Sequence, residues 1–371
     1  MSEETRGAAA PGDWSADGTT PAQRPVVYLH IGAPKTGTTF LQRVMWQNRA
    51  RLAELGTLYP GATFGAHVQA AFDLRKAGFR GYRDPKVPGS WPALVDEARA
   101  WGGPVIISQE LLSPATVAQV DRALDDLAFA EVHLIYTARE LTRQVPAAWQ
   151  EDIKNRFTIG FDEYVAGLRD PDQDTNGLGR MFWRMQDAAG VLQRWARHIP
   201  AGRVHIVTVP QRGGPPDLLW RRFAGVVGVD PGAVDVSDGF LNTSLGVAEA
   251  SFLLRLNRAL DAEIGWPLYN QLVKHHLAQE VLSRREPVVR LELPAASAPW
   301  FIDRGTRMVE ELQARRYDVV GTLDDLVPPS TDTLPQDVPE SSVEEQLEIA
   351  IEATAALLLQ IARLRRKAVP A

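Results

Sequence analysis

VVYLHIGAPKTGTTFLQRVMWQ, residues 26–47, holds three kinds of local structure in a row. VVYLHIG is an apolar run rich in β-branched residues, as in a strand buried on both faces of a parallel sheet. IGAPKTGTTF (31–40) is a short glycine- and threonine-rich turn. The residues after Thr39 have a helical apolar period. A loop that leaves a buried strand and opens a helix makes an anion site: the first N–H groups of the helix lack partners, and the positive end of its dipole points at the loop. Gly32 and Gly37 allow close backbone approach, Lys35 adds a point charge, and Thr38 and Thr39 add hydroxyls. A Walker A loop carries its lysine directly after the second glycine. Here Lys35 precedes Gly37 by two residues.

Further along the chain, VIIS (105–108), VHLIYTA (132–138) and VHIVTV (204–209) repeat the buried-strand signature. Helical patterns lie between them, such as FLQRVMWQNRARLAELG (40–56), which closes on Gly56 as on a C-cap. Strands alternating with helices predict an α/β chain, a P-loop-like three-layer α/β/α arrangement with a central mostly parallel sheet. From about 245 to 320 the pattern is mainly helical. SLGVAEASFLLRLNRAL (244–260) sets Leu245, Ala248, Phe252, Leu253 and Leu256 on one face. The expected organisation is a disordered leader over 1–24, an α/β domain over 25–325, a proline-rich linker over 326–342 and a C-terminal helix within 343–371. That helix has acids near its start and bases at its end, as its dipole favours. Its wide apolar face predicts self-association or docking on the main domain.

The 371 residues are 45% hydrophobic and 23% charged, the composition of a globular chain. A net charge of -6 argues against a chain-wide nucleic-acid footprint. The absence of cysteine removes disulfides, thiolate metal sites and cysteine nucleophiles. No apolar run is long enough for a membrane span, and no signal peptide is visible, so a cytoplasmic location is expected. No His/Asp/Glu set has metal-ligand spacing. His275 and His276 are adjacent in a helical segment, point in different directions and make a poor metal pair.

P-K-T-G-T-T resembles the 5′-phosphosulfate loop of sulfotransferases that use 3′-phosphoadenylyl sulfate (PAPS). The wider chain resembles the bacterial, especially actinobacterial, members of that family over roughly residues 25–325. The resemblance rests on H-I-G-A-P-K-T-G-T-T, on the S-x-E of Ser108–Glu110, on A-R-E-L-T-R-Q-V-P-A-A-W-Q-E (138–151) and on Y-D-V-V-G-T-L-D-D-L (317–326). It implies that Lys35, Gly37, Thr38 and Thr39, in a loop with Pro34 and Thr36, hold the phosphosulfate. It also implies that Arg139, at the end of VHLIYTA, binds the 3′-phosphate. The serine that accompanies this arginine in the family is Ala147 here, with Thr142, Arg143 and Gln144 as the nearby polar candidates to replace it.

The implied reaction moves a sulfuryl group from PAPS to a hydroxyl or amine of a small-molecule or glycan acceptor, without a metal. Removing the acceptor proton takes a base. Glu110 sits just past VIIS, at the carboxyl edge where open α/β sheets bind ligands, and a partly dry cleft raises a carboxyl pKa toward the working range. His67, in GAHVQAAFDL, is the second candidate because imidazole titrates near neutrality. Trp149 reads as core, Gln150 and Lys154 as a solvated helix face, and Asn242 or Ser244 as a helix cap. Two other readings stay open: a P-loop kinase or NTP hydrolase, and a non-catalytic nucleotide-binding protein. No strand ends in the aspartate that a Walker-type site uses for magnesium.

Overall fold

The expected strands form in a computed structural model, which describes residues 24–170, 172, 177–239, 244–260, 263–286, 288–328 and 334–368. Strands β1 (Val26–His30), β2 (Val105–Ser108), β3 (Glu131–Ala138) and β4 (Val204–Thr208) coincide with the four apolar runs to within a residue or two. A fifth, β5 (Asp318–Val320), is too short to show as an apolar run and completes the sheet at one edge. All pairings are parallel, in the order β2-β1-β3-β4-β5. The chain is therefore α/β, with helices on both faces of a parallel sheet.

Strand alternation decides which helix meets which face. Val27, Leu29, Val105, Ile107, Leu134 and Tyr136 join the core cluster of one face. That face is covered by helices including Ser90–Trp101, Val117–Asp126 and Ala188–Trp195. Ile106, Ile135 and Val207 point the other way, onto Leu41, Val44 and Met45 of α1 (Thr38–Gln47) and onto Trp220 and Phe223 of the helix Leu218–Val227. A third cluster centres on α2 (Leu141–Lys154), the helix after β3. Around it pack α3 (Val247–Leu260), a π-helical stretch from Asn270 to Val281, α4 (Ala298–Arg315) and α5 (Val343–Ala368).

Three local expectations need correction. The helix expected over 40–56 breaks at Asn48, whose amide donates to the carbonyls of Val44 and Asp235 while its oxygen accepts from the N–H of Asp235. A side chain that competes for local backbone groups ends a helix in this way. The helix expected from 244 starts at Val247, and its fully buried face carries Val247, Ala250 and Leu253; Ala248, Phe252 and Leu256 are only partly covered. Within the 326–342 segment, Leu334 and Val338 pack on the helical core, and the carbonyl of Pro335 accepts from Ala295 N, so this part is not a free linker. α5 docks in cis, through Ile349 and Ala353. Residues 1–23 of the leader, and Asn242, lie outside the described residues.

Candidate functional site

The loop after β1 is built by pinning its carbonyls. Thr137, on β3, donates through both N–H and hydroxyl to Gly32 O. Thr36 Oγ1 donates to Ala33 O at 2.6 Å. Gln144 and Gln186, themselves bonded at 2.9 Å, both donate to Pro34 O. Arg139 Nη1 donates to Lys35 O at 3.2 Å. Four successive carbonyls are thus drawn to protein donors. Gly37 is the residue before α1, at φ 85° in the left-handed region, and no side chain caps the helix. What the loop offers in front of α1 is N–H, the arrangement that binds anions. Gly32, at φ 118°, is required by its neighbour too: a Cβ there would stand 3.1 Å from Glu110 Cβ.

Lys35 takes a left-handed backbone (φ 66°) and reaches Glu151 Oε2 at 3.2 Å. Lys274, from the π-helical stretch, holds Glu151 Oε1 at 2.9 Å and Asn155 Oδ1 at 2.6 Å. Burial alone would raise the Glu151 pKa, but Lys35, Lys274 and Lys154 outweigh it and hold the carboxyl well below its usual range. Lys154 is buried beside them. Desolvation first, then the charge of Lys35, pushes it down to about 7. Burial likewise pushes Asp152 up to about 7, against a hydrogen bond from Tyr164. Gln150 is buried as well, bridging the N–H and carbonyl of Leu245. The solvated face expected for Gln150 and Lys154 is therefore replaced by a packed one. Trp149 is core, as expected.

Arg139 leaves β3 toward the same loop. Its pKa is pushed down to about 9, by burial first and then by Arg143, with Arg212 adding a smaller push. The Nε atoms of Arg139 and Arg143 are buried without a hydrogen-bond partner. Glu140 lies 3.5 Å from Arg143 Nε and accepts a hydrogen bond from Thr142, while Arg212 pairs with Glu292 at 2.6 Å. With Arg212 on Glu292 and Arg222 on Asp325, the Arg139 and Arg143 guanidiniums share the carboxylate of Glu140. Of the polar candidates beside Ala147, Thr142 is tied to Glu140 and Gln144 to the loop carbonyl; Arg143, which donates through Nη1 to Pro210 O at 3.2 Å, adds a second guanidinium near Arg139.

Glu110 opens a short 3-10 turn after β2 and is half-buried. Its Oε2 accepts from Gln42 Nε2 of α1 at 2.8 Å, and its backbone abuts Gly32. His67 lies elsewhere. It is buried, stacked on Tyr59, with Nε2 2.8 Å from Pro60 O and Nδ1 3.0 Å from the N–H of Ser108. The carbonyl can only accept and the amide can only donate, so Nε2 carries the proton and the Nδ1 lone pair is spent. Burial pushes its pKa down to about 4. Such a histidine holds two chain segments together and has no lone pair for an acceptor, which corrects the expectation of His67 as a base. His30 behaves similarly: it is fully buried, pushed down to about 3, and 2.8 Å from Ser108 Oγ.

Pro34, Lys35, Thr36, Gly37 and Arg139 therefore share one structure, with Thr38 buried and Thr39 exposed on the first turn of α1. Sequence reading missed Glu151, Lys274, Gln186 and Thr137. Glu151 had a visible signal, since Gln144 and Glu151 stand at helical spacing on α2 and Asn155, its C-cap, follows at helical spacing as well. Lys274 and Gln186 come from distant segments and had none. His276 pairs with Glu280 and Ala356 O, and His275 with Gln279. Among the described residues no group of three His, Asp or Glu is arranged to hold a metal, and no helix is long and apolar enough to cross a membrane. Compared with protein-family models, with curated proteins and with solved structures, the chain matches none.

Proposed function

We propose that this protein is a PAPS-dependent sulfotransferase acting on a hydroxyl or amine of a small-molecule or glycan acceptor in the cytoplasm. One observation carries the reading: a loop whose carbonyls are turned away from an uncapped helix start lies within hydrogen-bond reach of Arg139, which pairs with Arg143 as a second cationic group. Two anion-binding features in contact suit a nucleotide with phosphates at two positions. The buried Nε of Arg139, which has no hydrogen-bond partner, fits an additional anion better than a structural ion pair.

PAPS, when bound, supplies the sulfuryl group and a bisphosphate leaving group. Lys35 would turn from Glu151 to the bridging oxygen, where charge grows as the bond to sulfur breaks. Lys274 and Lys154 keep Glu151 ionised after Lys35 leaves, so the carboxylate does not have to take a proton. Glu110 would accept the acceptor's proton, with Gln42 fixing the orientation of its carboxylate. Arg139 and Arg143 would hold the 3′-phosphate, in place of the serine that Ala147 replaces.

Calorimetry with adenosine 3′,5′-bisphosphate, AMP and ATP, each with and without Mg²⁺, tests this reading. We expect the bisphosphate to bind without metal at least tenfold more tightly than AMP. Equal affinity for the two would remove the 3′-phosphate site, and ATP binding only with Mg²⁺ would favour a kinase.

A further inference from the structure

α5 carries two apolar faces on one helix. The inner one is occupied: Ile349 and Ala353 are buried, Gln346 Nε2 donates to Ala248 O at 3.0 Å, His276 reaches Ala356 O, and Arg285 pairs with Glu352. These contacts fix which side faces out. On that side Leu347, Ile351 and Leu358 are 60%, 63% and 62% exposed. With Thr354, Ile361 and Arg365 they follow one another at alternating steps of four and three residues. That is the a/d seam of a coiled coil, narrower than the face by which a surface helix docks on its own domain. Ala350, Ala355 and Ala362 flank the seam, and small flanking residues let a second helix approach closely. A monomer rarely leaves so continuous a stripe in water.

Charge selects the occupant. Glu344 and Glu348 border the stripe at its start; Arg363, Arg365 and Arg366 stand at its end. A copy laid parallel would set acid on acid and base on base. A copy laid antiparallel sets each end on its opposite, and the two-fold relation closes the assembly at two chains. A membrane surface would meet the carboxylates of Glu344 and Glu348 beside the apolar stripe, which opposes insertion there.

We propose that α5 is the seam of a two-fold symmetric homodimer, packed antiparallel on α5 of a second copy along Leu347, Ile351, Thr354, Leu358 and Ile361. In this register Thr354 faces Leu358 of the partner subunit, Ile351 faces Ile361 of the partner subunit, and Leu347 faces Arg365 of the partner subunit. The guanidinium then falls between Glu344 and Glu348. The inference is independent of the proposed activity, because the seam lies on the helix face turned away from the domain.

Sedimentation or light scattering on the full chain should give twice the 40.9 kDa chain mass. The paired substitution Ile351→Asp and Leu358→Asp should return it to one chain mass with the helical circular-dichroism signal of the folded chain retained, because neither side chain lies on the face that docks on the domain. The absence of cysteine permits a second, geometric test. Leu347→Cys chains mixed with Arg365→Cys chains should cross-link on oxidation, while Leu347→Cys alone should not, since a disulfide needs Cα atoms within about 7 Å. A wild-type chain that stays monomeric at every concentration reached, or a dimer that survives the two aspartates, overturns the proposal. Efficient self-linking of Leu347→Cys overturns the antiparallel arrangement.

Discussion

The two ends of the parallel sheet carry similar side chains and differ in what is left unsatisfied. At the amino end, Glu131, His133, His205 and Asp318 form a continuous ladder across β3, β4 and β5, with contacts of 3.1, 2.9 and 2.7 Å. Arg203 closes it on Glu131 at 2.7 Å. Each polar group there has a local partner. At the carboxyl end the loop carbonyls are pinned, but α1 has no cap, Arg139 Nε is buried without a hydrogen-bond partner, and Lys35 shares Glu151 with Lys274. Charged residues alone do not mark a site. Cationic groups held in place with donors to spare do, because burial without a partner costs about 1–3 kcal/mol and persists where a ligand repays it.

If the carboxyl end is catalytic, the largest effect belongs to the base. Glu110→Gln keeps the hydrogen-bonding shape and removes the proton acceptor, so turnover should fall by about 10²–10⁴. His67→Asn, by contrast, should act on folding. Below pH 6.5 the unfolded chain protonates His67 while the folded chain resists until about pH 4. A depressed histidine therefore costs stability as pH falls through that window, and full stability is present above 6.5. Denaturant midpoints measured from pH 7 to 4 should fall less steeply for the variant. Unchanged turnover in Glu110→Gln, with loss of turnover in a well-folded His67→Asn, would reverse the two roles.

Lys35→Ala probes the same end of the sheet with a somewhat smaller expected loss, about 10²–10³ in turnover with the fold intact. Glu151 keeps Lys274 in that variant, so no buried carboxylate is stranded. Near wild-type turnover would mean that Lys35 is only a structural partner of Glu151.

The sheet was legible because four strands are buried on both faces and read as unbroken apolar runs. β5 was not, since three residues at an edge leave too short a signal. The loop was legible through Gly32, Lys35 and Gly37, which need particular backbone shapes or supply charge at a helix start. Its pinning was hidden because Thr137, Gln144 and Gln186 lie roughly 100 to 150 residues away in sequence and look like ordinary polar residues until the fold brings them together. Lys154 was misread for the same reason: helical spacing gives a face but not what packs on it. The C-terminal helix was read as one wide apolar face, whereas docking divides it into an inner face and an outer stripe.

The smallest effect is expected at the amino end of the sheet, and it is the control for the variants at the carboxyl end. Asp318→Asn removes a carboxylate whose side chain is 49% exposed, and a partner so accessible to water is worth about 0–1 kcal/mol. Turnover should not change, because the ladder starts β3, β4 and β5 and the loop sits past the opposite ends of the strands. The ladder should still show in the pH dependence of stability. Burial lowers the His133 pKa, with the His205 ring adding to the drop and the hydrogen bond to Glu131 opposing it. As pH falls below 6.5 the unfolded chain gains a proton at this position before the folded chain does, so stability declines from there downward. His133→Gln should remove that share of the decline and leave the proposed activity at neutral pH unaltered. A drop in turnover for either variant, with unfolding midpoints unchanged, would couple the two ends of the sheet and undo the contrast on which the site assignment depends.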